Sequence, residues 1–119
     1  MSKDIFIVED DADYFKFIKA SLKEKYNISS FINAEDCLEA LLKPNKPDIL
    51  IIDHFLPGMN GMNLFEKVKN TLPKTCKVII LSSMDNEKIL FDYFKKGIRY
   101  YVIKDENVIE SLIESIEEE

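Results

Sequence analysis

PDILIIDHFLPGMNG, running from Pro47 to Gly61, opens on a proline, passes through the aliphatic run Ile49-Leu50-Ile51-Ile52 and then meets a carboxylate, Asp53. An apolar run this short reads as a strand buried on both faces, as in a parallel sheet. Asp53 is the anomaly. A solitary carboxylate ending such a run suffers desolvation unless something pairs with it.

Working outward, four further β-rich runs are mostly unbroken: Ile5 to Val8, Ile28 to Ile32, Val78 to Leu81 and Tyr100 to Ile103. Between them, apolar residues recur three or four apart, giving helices with one buried stripe. The stripes are Tyr14, Phe17, Ile18 and Leu22; Cys37, Leu38, Leu41 and Leu42; Leu64, Phe65, Val68 and Leu72; Ile89, Leu90, Tyr93 and Phe94; and Ile109, Leu112, Ile113 and Ile116. Pro44 and Pro73 follow the second and third, Gly97 sits where the fourth needs a C-terminal cap, and Asp11 or Asp13 is placed to cap the first. Five βα units in succession predict an α/β fold, a doubly wound, five-stranded parallel sheet with right-handed crossovers. The expectation is one domain over residues 1–119. Phe91, Tyr93 and Tyr100 read as core aromatics, a homodimer face being the alternative. The terminal acids Glu117, Glu118 and Glu119 oppose the helix dipole and read as a frayed, solvated end, or as a helix continuing into the linker of a longer chain.

Composition narrows the function. A net charge of −6 argues against a nucleic-acid surface, which needs clustered Lys and Arg. Cys37 and Cys76 lack CxxC spacing and read as reduced thiols, and the acid-broken N-terminus is neither a signal peptide nor a membrane span. A cytoplasmic location is expected, with no direct nucleic-acid or membrane partner.

In open parallel sheets ligands bind beyond the carboxyl ends of the strands, where the strand order reverses. There the sequence places Glu9, Asp10 and Asp11 after the first strand, Asp53 after the third, Ser82 and Ser83 after the fourth and Lys104 after the fifth. Each has an ordinary reading, as a cap, a strand-ending serine or a surface lysine; together they form one rim. Carboxylates about 4 Å apart repel by about 4 kcal/mol per pair at an effective dielectric near 20, so a cation belongs among them. An all-oxygen set with room for water favours Mg2+, and zinc is disfavoured because His54 is the lone histidine. With charge neutralised, Asp53 could attack phosphorus and form an acyl phosphate, Lys104 pairing with one phosphoryl oxygen and Ser82 donating to another.

These residues resemble the receiver domains of two-component response regulators, including the stand-alone chemotaxis type. The resemblance rests on IVEDD (Ile7 to Asp11), the Pro47 to Gly61 segment, IILSS (Ile79 to Ser83) and YVIKD (Tyr101 to Asp105), with intervals of 43, 29 and 22 positions from Asp10 to Asp53, Ser82 and Lys104 in turn. It implies a flavodoxin-like fold with strand order 2-1-3-4-5. Glu9 and Asp10 would be the acidic pair, with Asp10, Asp53 and the Phe55 backbone carbonyl holding magnesium. Asp53 would be the phosphoacceptor, Ser82 the switch hydroxyl, Lys104 the phosphate-pairing lysine and Tyr101 the aromatic switch, while Pro57 and Gly61 would shape the loop, glycine through its conformational freedom. The implied partners are a histidine kinase or phosphotransfer protein upstream, and an effector protein or output domain meeting the face of the fourth helix, fifth strand and fifth helix. Such a domain is a signalling switch rather than a turnover enzyme. Three features depart from the pattern: Asp105 rather than proline after Lys104, which predicts a trans peptide there; Ser82 rather than threonine; and apolar Phe55 and Met84 flanking the site.

Other functions fit less well. The alternative is a phosphorylation-independent interaction module that keeps the fold and has lost the chemistry; the presence of every expected reactive residue weighs against it. A flavin carrier needs a hydroxyl- and glycine-rich loop where Glu9, Asp10 and Asp11 stand. A phosphohydrolase with an aspartyl nucleophile needs a second acid at Phe55.

Overall fold

The computed structural model describes residues 3–119. Its elements alternate strictly: β1 (Asp4–Val8), α1 (Ala12–Leu22), β2 (Asn27–Phe31), α2 (Ala34–Leu41), β3 (Ile49–Asp53), α3 (Gly61–Val68), β4 (Lys77–Ser82), α4 (Glu87–Lys95), β5 (Tyr100–Ile103) and α5 (Val108–Glu117). The strands form one parallel sheet in the order β2-β1-β3-β4-β5, with Ile5 of β1 paired to Ile28 on one side and Ile49 on the other. The flavodoxin-like order and the doubly wound parallel sheet are therefore those expected.

The aliphatic runs serve two cores at once because side chains alternate across a strand. Ile5, Ile7, Ile49, Ile51, Ile79 and Leu81 point toward α1 and α5, where they meet Ile18, Leu22, Leu112 and Ile116. Their neighbours Val8, Leu50, Ile52 and Ile80 point toward α2, α3 and α4, meeting Cys37, Leu64, Val68 and Tyr93. Every residue of β3 is buried. Each of its four aliphatic side chains contributes about 1.5–3 kcal/mol by leaving water.

Helices α1 to α4 start on a side-chain cap: Asp11, Asn33, Asn60 and Asn86 each accept a hydrogen bond from an amide in the first turn. Helix α4 ends as expected at Gly97 (φ 93°), with the Ile98 amide donating to Tyr93 O and the Gly97 amide to Phe94 O, a Schellman stop.

Several expectations are corrected. Strand β2 is an edge strand open to solvent rather than buried on both faces, and it stops at Phe31, leaving Ile32 61% exposed. The α4 stripe is thinner than its periodicity suggests: Tyr93 is buried, whereas Leu90, Phe91 and Phe94 are exposed, so Phe91 is not a core aromatic. Asp53 and Ser82 are the last residues of their strands rather than the first beyond them. Helix α5 stops at Glu117 and its terminal acids are exposed as expected, yet its last carbonyls are partnered, Lys3 Nζ donating to Ile116 O at 3.0 Å and Lys77 Nζ to Ser115 O at 2.7 Å. These two ammonium groups supply the positive charge that the terminal acids lack. Both cysteines are free thiols. Among the described residues no helix is long and apolar enough to cross a membrane.

Candidate functional site

The strand order reverses between β1 and β3, and the expected rim assembles there. Glu9 follows β1 and is held by the sheet itself, its amide donating to Phe31 O at 3.0 Å. Asp53 closes β3, and the His54 amide beyond it donates to Leu81 O at 2.9 Å, which fixes the strand to its last residue. Ser82 closes β4, where its carbonyl accepts from the Lys104 amide at 2.8 Å. Backbone ladders thus set the positions of all four side chains.

Lys104 Nζ lies 2.7 Å from Glu9 Oε1 and 3.1 Å from Asp53 Oδ2, and both carboxylates are buried. The second oxygens are bonded locally, Glu9 Oε2 accepting from the Asp11 amide at 3.1 Å and Asp53 Oδ1 from the Phe55 amide at 3.0 Å. Exposed Asp10 completes the group: ligand oxygens of Glu9, Asp10 and Asp53 lie within 4.8 Å of one another. Burial would lower the Lys104 ammonium, but the hydrogen bond to Glu9 and the charge and hydrogen bond of Asp53 outweigh it, holding Lys104 above its ordinary value.

Glu9 carries the strain of this arrangement. Burial first, with a hydrogen bond and charge from Asp53 adding and Lys104 and the Asp11 amide opposing, pushes its carboxyl from 4.5 to about 7. The folded protein then holds this proton more tightly than the unfolded chain, so stability falls as pH rises from about 4.5 through about 7. Metal-free Glu9→Gln is expected to lose that slope and to exceed the wild type by about 2 kcal/mol at pH 8, converging on it near pH 5. Thermal melts in chelator across this range test it; parallel pH curves would show that Glu9 does not carry the slope.

The remaining expected residues occupy the margin of the rim. Ser82 is fully buried and its Oγ accepts from the Met84 amide at 3.1 Å. Tyr101 is half-buried on β5, and its hydroxyl donates to Met84 O at 2.9 Å. Phe55 and Met84 are exposed and flank the opening. The peptide after Lys104 is trans, no cis bond occurring among the described residues. Gly61 acts differently from expectation. It has no positive φ, which falls to Gly58 (φ 78°), but a Cβ on Gly61 would lie 2.8 Å from the Tyr93 hydroxyl and 3.0 Å from Asp53 O and His54 Cα. Close approach, not conformational freedom, requires glycine there.

Three neighbours of the site, His54, Tyr93 and Tyr14, were not assigned to it from sequence. His54 Nδ1 and the Tyr93 hydroxyl share a buried hydrogen bond of 2.6 Å, joining the residue beside Asp53 to α4. The Tyr93 ring lies 6.2 Å from that of Tyr101. Tyr14, in the first turn of α1, stands against Lys104. The lone histidine next to an anomalous acid was the available signal for the first pair; its partner lies 39 positions away and gave none.

A doubly wound sheet whose switch point holds three carboxylates and a lysine, instead of a glycine-rich nucleotide cradle, defines a small α/β module with an all-oxygen acidic cluster beside one ammonium. The chain belongs to the response regulator receiver domain family, whose model matches residues 5–117. It is 31% identical over 106 residues to an uncharacterised response regulatory protein of Staphylococcus epidermidis, covering 83% of this chain and 38% of that one. To the chemotaxis protein CheY of Listeria monocytogenes it is 28% identical over 100 residues, covering 82% of this chain and 83% of that one. The chain spans 27–38% of the length of several curated relatives. Among solved structures, a Francisella response regulator receiver domain superposes with a TM-score of 0.77 at 25% identity, covering 96% of this chain and 97% of that one. The BeF3-activated DrrB receiver domain reaches 0.82 at 22% identity, covering 99% and 100%, a likeness of fold. The chain is thus a receiver domain, a signalling module of the two-component type; the family implies a histidine kinase partner, and the acidic cluster is typical of the receiver magnesium site.

Proposed function

We propose that residues 1–119 form one receiver domain in which Asp53 accepts a phosphoryl group with Mg2+ bound alongside. The observation that carries this reading is the charge count at the rim: three carboxylates, when ionised, face one ammonium, leaving a formal charge of −2 that a divalent cation would cancel. The donor set is all oxygen and suits a hard cation. Asp10, Asp53 and the Phe55 carbonyl would hold the ion, with Glu9 alongside. When bound, the ion supplies Lewis-acid screening of the anionic donor.

In the transfer, an Asp53 carboxylate oxygen attacks phosphorus, the P–N bond to the imidazole of a histidine kinase or phosphotransfer protein breaks, and that ring, already protonated on its other nitrogen, leaves as neutral imidazole. Lys104, already hydrogen-bonded to Asp53 Oδ2, follows the transferred oxygens. Ser82 exchanges its bond from the Met84 amide for one it donates to the phosphoryl group. Because Tyr101 is tied to the same Met84 residue, its ring responds, and the face of α4, β5 and α5 changes its preference for an effector protein, an output domain or a second copy of the chain.

Intact-mass analysis after incubation with acetyl phosphate tests the reading. The expected result is a Mg2+-dependent gain of one phosphoryl group in the wild type and none in Asp53→Ala. Uptake by Asp53→Ala would move the acceptor elsewhere. No uptake by the wild type would leave a module that binds its partner without phosphorylation.

A further inference from the structure

The α1 wall of the site is an aromatic ring with no role in the chemistry above. Lys104 Nζ lies 4.5 Å from the Tyr14 ring centroid, within cation–π range. The same ammonium bridges Glu9 and Asp53, so the ring is its third neighbour. Tyr14 is not held there by its own polar group. Its hydroxyl is buried without a hydrogen-bond partner among the described residues, an arrangement that ordinarily costs about 1–3 kcal/mol. What fixes the ring is packing against the core and against the tilted Phe17 ring at 5.9 Å, with the ammonium on its face. Burial raises the Tyr14 hydroxyl, and the charges of Lys104, Glu9, Asp105 and Asp53 all act on it, placing the side chain among the groups of the rim.

A ring face attracts an ammonium without dictating where its N–H bonds point. A third carboxylate would attract it more strongly but would compete with Asp53. Lys104 has to release one carboxylate oxygen and follow the phosphoryl group, and a non-directional seat allows that small displacement while preventing retreat into solvent. We propose that Tyr14 is a positioning residue for Lys104, its ring face holding the ammonium over Asp53 before and during phosphoryl transfer. This rests on the phosphoacceptor reading above.

The test compares wild type, Tyr14→Phe and Tyr14→Leu. Two quantities are measured: the initial rate of phosphorylation by acetyl phosphate with Mg2+, and the chemical shift of the Lys104 ε-methylene protons in the metal-free protein. The ring current should move those protons upfield in wild type and Tyr14→Phe but not in Tyr14→Leu. The phosphorylation rate should stay close to wild type in Tyr14→Phe and fall about 2- to 30-fold in Tyr14→Leu, the range that a cation–π contact of about 0.5–2 kcal/mol converts to. Tyr14→Leu phosphorylated at the wild-type rate, or Tyr14→Phe as slow as Tyr14→Leu, would overturn the proposal while leaving the phosphoacceptor reading intact. A wild type that takes up no phosphoryl group would overturn both.

Discussion

Lys104→Met is expected to lower the melting temperature of the metal-free protein by about 10–20 °C and at the same time to tighten its binding of Mg2+. The two effects have one cause. Glu9 and Asp53 are almost fully buried, and Lys104, itself only 16% exposed, is the ammonium bonded to both. Removing one partner of a buried pair leaves the other uncompensated and costs about 3–5 kcal/mol. Protonation of Glu9, whose carboxyl already sits near 7 and rises further once Lys104 no longer lowers it, softens that loss increasingly as pH falls. Lys104 also competes with a divalent ion for the same oxygens, so its loss leaves them freer for metal while removing the group that follows the phosphoryl oxygens. Melting curves with and without Mg2+ read the first effect, and titration calorimetry the second. An unchanged melting temperature would mean that the bridge contributes nothing to the fold, and weaker Mg2+ binding would mean that Lys104 and the cation do not compete.

Tyr93→Ala is expected to cost about 3–5 kcal/mol, close to the whole stability of many small domains. Tyr93 is fully buried, its ring stands edge-on to His54 at 5.4 Å and near Tyr101, and its hydroxyl bonds His54 Nδ1. Truncation opens a cavity between α4 and the end of β3 and leaves a buried imidazole without its partner. Tyr93→Phe separates the two contributions: it keeps the ring and is expected to lose only about 1–3 kcal/mol. Denaturant unfolding of both variants checks the partition. If Tyr93→Phe were as damaging as Tyr93→Ala, the hydrogen bond rather than the ring would dominate.

The strands were legible because a strand buried on two sides leaves an aliphatic run no helix of that length would need, and Ile49 to Ile52 is the clearest case. Helix ends were legible wherever one residue type does the work, as Gly97 and Asp11 do. Periodicity could not foretell how deeply a helix sits. Ile89, Leu90, Tyr93 and Phe94 form as good a stripe as that of α3, yet Leu90 and Phe94 remain exposed, because burial depends on what the opposite surface offers. Site residues that act through strand ends were readable from chain position, since the topology converts position into proximity. Contacts such as Lys104 with Tyr14, His54 with Tyr93 and Lys77 with the end of α5 depend on side-chain reach across the fold, and no local pattern encodes them.

Strand β3 also bears on how the chain survives before it is folded. Both partners of β3 are non-local, Ile49 pairing with Ile5 of β1 and with Lys77 of β4, so Ile49 to Ile52 is exposed until one of those distant strands docks. A short, uncharged, aliphatic β-former in that state is a template for aggregation, which charges at its borders suppress. Asp48 and Asp53 stand at those borders. The carboxylate that ends β3 is therefore expected to protect the unfolded chain as well: Asp53→Ala should refold in lower yield than Asp53→Glu at micromolar concentration, and equal yields would confine Asp53 to its part in the folded state.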